Sequence, residues 1–194
     1  MNNAELKEAL IKTFEQSYLI NDPAHRIDHF ERVEECGIYI NKTLELGYNE
    51  NLITAVAYIH DAFSWCRSNH EQMSAHWVLT TKDPIMDIFT KLEKMLISDA
   101  CREHRASFKG NYSTPFSELM ASADRMIPKE ADDLLERSIL YTQAKGHDPE
   151  TAKILAKEHV KEKFGHGGYA RYPEMYERVF EKELKSIRDE IASW

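Results

Sequence analysis

The sequence predicts an all-α, single-domain protein, and three observations carry that prediction. Apolar residues recur at helical spacing along almost the whole chain. Capping and breaking residues (Asn49, Asp83-Pro84, Pro128, Asp148-Pro149) interrupt that pattern at helix-length intervals. No stretch alternates apolar and polar residues as a strand would, and no segment is repeated or of low complexity.

The elements follow in order. Leu6, Leu10, Ile11, Phe14 and Tyr18 set a first helix over residues 3–19. Val33, Cys36, Ile40 and Leu44 set a second over 28–46, stopping at Gly47. Asn49 or Asn51 can cap a third, whose Leu52, Ile53, Ala55, Val56 and Ile59 lead to the pair His60-Asp61. A shorter helix over 70–81 is expected around Met73 and Trp77. Asp83-Pro84 offers an N-cap with proline at the first helical position. From there one helix is expected to run on through Ile85, Ile88, Phe89, Leu92, Leu96 and Ala100. SFKGNYSTP reads as a loop. Helix returns at 116–127 and stops at Pro128, then again over about 130–144, from 149 to Phe164, and through Met175, Val179, Phe180, Leu184, Ile187 and Ile191. Eight or so helices result.

Composition narrows the function. A chain of 194 residues suits one domain and can bury a core without disulfide or metal staples. The net charge of −8, with no basic stripe, disfavours nucleic acid or an anionic membrane as the main partner. No apolar run approaches a membrane span, and MNNAELKEALIKTF lacks the apolar centre of a signal peptide. Cys36, Cys66 and Cys101 are odd in number and form no CxxC, which reads as buried thiols in a reducing compartment. A cytoplasmic protein is expected.

Nine histidines stand out. His29 extends the inward stripe Val33, Cys36, Ile40. His60 continues Ile53, Val56, Ala57; His104 continues Ile97, Ala100, Cys101; Asp124 continues Phe116, Met120, Ala123; His70 precedes Met73 and Trp77. Taken singly, each would be a core polar group with its own hydrogen bond. Taken together, they are more simply satisfied by one divalent cation shared between helices. Neighbouring residues on a helix point about 100° apart, so His60 and Asp61 can both reach an ion only at a helix end or across a widening of the turn.

HRIDHFERV (25–33), AYIHDAF (57–63), HEQMSAHWVL (70–79), REHRASFKG (102–110) and ASADRM (121–126) together resemble the HD-domain superfamily of metal-dependent phosphohydrolases. The pieces HxxxHxxRV and SFKG followed by ADR look most like its small stand-alone bacterial and phage members. The resemblance covers about residues 20–127 as an HD core, with 128–194 as a helical C-terminal extension. It implies an HD-type helical bundle and hydrolysis of a phosphate ester or anhydride, often on a nucleotide, through a metal-activated water. The motif maps onto His29, His60, Asp61 and Asp124. Members with extra histidines hold two metals, which places His70 and His104 in the ligand set; His76 competes with His70. The implied cofactor is one or two divalent ions, drawn from Mn, Fe, Co, Ni, Zn or Mg.

In that chemistry Asp61 would ligate and orient the water, and an unliganded His25 or His76 would protonate the leaving group. Arg125, Lys109 and Arg171 are the candidate contacts to a small, nucleotide-like phosphorylated substrate; for each, a solvated surface charge is the competing reading. GHGGYAR (165–171) is no P-loop: it reads as a connector with Gly165 as C-cap, against a lid that carries Tyr169 and Arg171. A diiron oxygenase and a non-catalytic metal-containing module are the alternatives. A homo-oligomer stays open.

Overall fold

The structure, a computed structural model, describes residues 1–21, 25–170 and 172–194. Among these, all regular structure is helical: α1 (Asn3–Ile20), α2 (Ile27–Thr43), α3 (Glu50–Ile59), α4 (His70–Thr80), a 3-10 turn (Pro84–Ile88), α5 (Lys91–Glu103), α6 (Pro115–Ala123), α7 (Ala131–Ala144), α8 (Pro149–Phe164) and α9 (Glu174–Ser193). The all-α prediction holds.

Local chemistry sets the ends. Asn2 and Glu5 form a reciprocal capping box that starts α1. Asn49 is the N-cap of α3, its side chain accepting from Asn51 N–H. Asp148 caps α8 with proline next to it, as the dipeptide predicts. The same dipeptide at Asp83-Pro84 opens only the 3-10 turn, so the single helix expected from 83 onward is corrected to two elements. Phe89 is extended, and Thr90 with Glu93 builds a second capping box that starts α5 afresh. Leu92, placed by its spacing on an inward stripe, is 73% exposed for this reason.

Two expected ends also move inward. α2 stops at Thr43, where Asn41 turns its side-chain amide onto Tyr48 at both N–H and C=O. α6 stops at Ala123 rather than 127, because Met126 takes a left-handed φ of 63° and donates N–H to Ala123 C=O.

The main core is threaded by α3, whose residues Leu52–Ile59 are all buried. α1 lies on it through Leu6, Leu10, Phe14 and Tyr18, and α2 through Phe30, Val33, Cys36 and Ile40. Each such side chain contributes about 1.5–3 kcal/mol by leaving water. α5 and α6 cover α3 from the other side, and α9 adds Tyr176, Phe180 and Leu184. A smaller cluster of Ala131, Val160, Ile187 and Ile191 joins α7, α8 and α9. No helix among the described residues is long and apolar enough to cross a membrane.

Gly37 is where α2, α3 and α6 crowd. A Cβ there would stand 2.7 Å from Ile53 Cγ2 and 3.4 Å from Ala123 Cβ. Both neighbours are buried and Ile53 is β-branched, so neither yields cheaply. Gly37→Ala should therefore destabilise the fold by about 1–3 kcal/mol. Urea unfolding checks this; an unchanged midpoint would show that the three helices can spread.

Candidate metal centre

Five helices send their ends to one place. His60, His104 and Asp124 are the C-cap residues of α3, α5 and α6. His29 lies in the first turn of α2, and His70 is the first residue of α4. A helix C-terminus carries partial negative charge, so three of them meeting favour a cation between them. Asp61 follows His60 just past the end of α3, where the chain turns, and both side chains reach the same centre.

Asp61 is the hub, 3% exposed. Its Oδ2 lies 3.5 Å from His60 Nε2 and 3.8 Å from His29 Nε2. Asp124 Oδ1 completes that side, 3.4 Å from His29 Nε2 and 3.5 Å from His60 Nε2. Asp61 Oδ1 faces the other way, 3.0 Å from His70 Nε2 and 3.4 Å from His104 Nε2. Two ligand groups result, His29/His60/Asp61/Asp124 and Asp61/His70/His104, each with its donor atoms within 4.8 Å of one another. Asp61 belongs to both.

The polar atoms at the centre test the fit of a metal ion. His29 Nδ1 and Nε2, His60 Nε2, Asp61 Oδ1 and His70 Nδ1 are buried without a hydrogen-bond partner among the described residues. Buried polar atoms are rarely left so. His60 Nδ1 lies 3.0 Å from Ala57 C=O and His104 Nδ1 2.6 Å from Cys101 C=O. A carbonyl only accepts, so each Nδ1 carries the proton and each Nε2 presents its lone pair to the centre. The donor set therefore fits a divalent metal ion, and the cluster can hold one.

Charge agrees. Burial would raise the Asp61 carboxyl, but His60, His104 and His70 hold it well below the usual carboxylate range. Asp124 is held low too: burial works against it, and His29, His60 and Arg125 prevail. Burial, the largest effect, lowers His29. Burial acts the same way on His60, but Asp61 and Asp124 overcome it and lift that imidazole to about 9.

Outer contacts lock the ligands. Asn21, buried at the end of α1, donates through Nδ2 to Asp61 C=O at 3.0 Å and to His25 C=O at 3.1 Å, and accepts from Trp65 N–H at 3.1 Å. Ser74 Oγ donates to His60 C=O at 2.8 Å. Glu103, also buried, takes Ser113 N–H at 2.8 Å and the Ser113 hydroxyl, tying down the loop after His104. Nothing in the local sequence marks Asn21, Ser74 or Glu103: each reads as an ordinary cap or helix residue.

The remaining candidates divide. His25 stands at the rim, its Nε2 3.6 Å from Asp61 Oδ2 and 3.1 Å from Arg67 Nη1. His76 is exposed on α4, and of the two histidines it is His70 that faces the centre. Arg125 donates from Nη1 to Asp124 Oδ2 at 2.8 Å and from Nη2 to His104 C=O at 3.1 Å. It braces a ligand from behind. Lys109 is exposed in the loop after α5. Arg171 lies outside the described residues. Gly165 does cap α8, donating to Lys161 C=O, and Tyr169 and Ala170 donate to Glu162 and Lys163 C=O. Tyr169 itself is 61% exposed.

No protein-family model and no curated protein matches the chain. Among solved structures, it is similar to a predicted HD superfamily hydrolase from an uncultured Thermotogales bacterium. The two are 22% identical, the match covers 81% of this chain and 90% of that one, and the TM-score is 0.52. The likeness is one of fold. The chain thus shares the helical fold of that structure, and its own His/Asp cluster could hold a metal ion.

A ligand imidazole must be neutral, so an entering ion displaces the proton that His60 holds below about 9. Apparent metal affinity should climb by up to about tenfold per pH unit from pH 7 and level off near 9. Competition against a chromophoric chelator at pH 7, 8 and 9 measures this. A flat profile would mean that His60 is not a ligand.

Proposed function

We propose that this protein is a metal-dependent phosphohydrolase acting on a nucleotide or another small phosphate ester or anhydride. The observation that carries the reading is Asp61, one buried carboxylate with an oxygen toward each of two ligand groups. It supports a two-ion centre, with His29, His60, Asp61 and Asp124 on one ion and Asp61, His70 and His104 on the other. Four imidazoles and two carboxylates suit Mn, Fe, Co, Ni or Zn; Mg prefers oxygen donors.

When bound, the ions would supply Lewis acidity to the phosphoryl oxygens and make a hydroxide available near neutral pH. The chain's residues do the rest. Asp61 fixes the spacing of the two ligand groups and is placed to orient the attacking oxygen. As the new P–O bond forms, the bond to the leaving oxygen breaks and that oxygen needs a proton. His25, at the rim and 3.6 Å from Asp61, is the group placed to give it. Arg125 keeps Asp124 in position through the change of charge. The same donor set also suits a diiron oxygenase; turnover by the manganese-loaded protein without oxygen would exclude that for the assayed reaction.

Asp61→Ala should lose both ions and activity, beyond the roughly 10–100-fold that an outer partner of a metal site is worth. His70→Ala should bind one ion in place of two, and His76→Ala should match the wild type. Elemental analysis with phosphate release from a nucleotide and phosphoester panel checks all three. Full metal content and activity in Asp61→Ala would sink the proposal.

His25→Gln should cut kcat by about 10²-fold or more on alkyl phosphates. On nitrophenyl phosphate, whose leaving group needs no proton, the loss should be small. Equal loss on both substrates would remove His25 from the acid role.

A further inference from the structure

Glu71 and Arg105 are used by nothing described so far. Each directly follows a histidine of the same ligand group, Glu71 after His70 and Arg105 after His104. The two charges meet. Arg105 donates from Nη1 to Glu71 Oε2 at 3.3 Å and to Arg67 C=O at 3.4 Å. The chain that leaves α5 is thereby tied to the first turn of α4 and to the segment before it. Glu71 Oε2 also faces inward, 3.5 Å from His70 Nδ1. The side chains of Glu71 and His70 are 16% and 3% exposed, so salt and water screen this contact little.

His70 differs from its neighbours in what stands behind it. His60 and His104 turn Nδ1 to backbone carbonyls of their own helices, at 3.0 and 2.6 Å. His70 opens its helix, so no preceding turn supplies a carbonyl. What faces its Nδ1 is a carboxylate. A ring that binds an ion through Nε2 carries its proton on Nδ1, and a buried N–H needs an acceptor. At 3.5 Å, Glu71 stands at an ion-pair distance, and a small rotation of its side chain makes the contact a hydrogen bond. A carboxylate accepts more strongly than a carbonyl and makes the imidazole a better ligand. Arg105 holds the same oxygen from the outer side.

We propose that Glu71 is a positioning residue for the second ion. It accepts the Nδ1 proton of His70 and keeps Nε2 turned toward the Asp61/His70/His104 group, while Arg105 keeps the carboxylate in place. The Glu71–Arg105 pair also bridges the start of α4 and the end of α5, and so sets how far His70 stands from His104, whose rings are 5.4 Å apart. The affinity of the second ion is thus tuned separately from that of the first. The inference rests on the two-ion reading of the centre.

The test is calorimetric titration of the metal-free protein with manganese, with His70→Ala identifying which binding step belongs to the second group. The other proteins are the wild type, Glu71→Ala, Glu71→Gln, Arg105→Gln and Gln72→Ala, the last an exposed residue of α4 as control. Glu71→Ala should weaken the second ion by about 10–100-fold, the worth of an outer partner of a metal site, and leave the first unchanged. Glu71→Gln, whose amide oxygen still accepts from Nδ1, should recover part of the loss. Arg105→Gln should weaken the second ion less than Glu71→Ala does, and Gln72→Ala should change nothing. Two ions of unaltered affinity in Glu71→Ala overturn the positioning role and leave the two-ion centre standing. Equal weakening of both ions overturns it too, reducing Glu71 and Arg105 to a tie between helices. A wild-type protein that takes up one ion only defeats the two-ion reading, and the positioning role with it.

Discussion

An ionised carboxylate in a helical core is the constraint on which the rest depends. Taking such a group out of water costs several kcal/mol even after the surroundings relax. Asp61 is nonetheless held ionised, with four imidazoles ranged about its two oxygens. That arrangement dictates where the helices end. The side chains must arrive from several directions at a spot a few ångströms across, and a helix interior cannot deliver them. Hence three helices stop there, two start there, and the chain turns at Asp61 itself.

Buried apolar surface supplies the stability that tolerates this, and it does so with little redundancy. α3 is buried from Leu52 to Ile59, and α2 passes so close to it at Gly37 that a methyl group would meet Ile53. Close packing transmits position. The ligands therefore inherit their spacing from contacts far more numerous than their own hydrogen bonds. Asn21 and Ser74 then clamp the two carbonyls of the His-Asp pair, fixing what packing alone leaves free to rotate.

Much of this was legible in the sequence. The helical period marked every α-helix, and the ligands stood out because each prolonged an apolar stripe. What was missed has physical reasons. Asp83-Pro84 and Asp148-Pro149 are the same signal, yet one opens a 3-10 turn and the other sixteen residues of helix. The difference lies in Thr90 and Glu93, a competing cap whose pairing overrides an apolar spacing that runs on unbroken. His70 was preferred to its competitor His76, and the two part because His70 opens α4 and is buried at the centre whereas His76, six residues on, lies on the exposed side.

Met126 links the last helix to the first chemistry. It holds a backbone conformation that residues with a side chain seldom adopt, two positions after Asp124. Its carbonyl accepts the Tyr176 hydroxyl from α9 at 2.8 Å. In a chain emerging from the ribosome, all six candidate ligands are made well before Tyr176. The pocket can gather around an ion early, but the turn that aims Asp124 is latched only when α9 docks. Assembly of the centre is therefore finished by a helix that contributes no ligand to it.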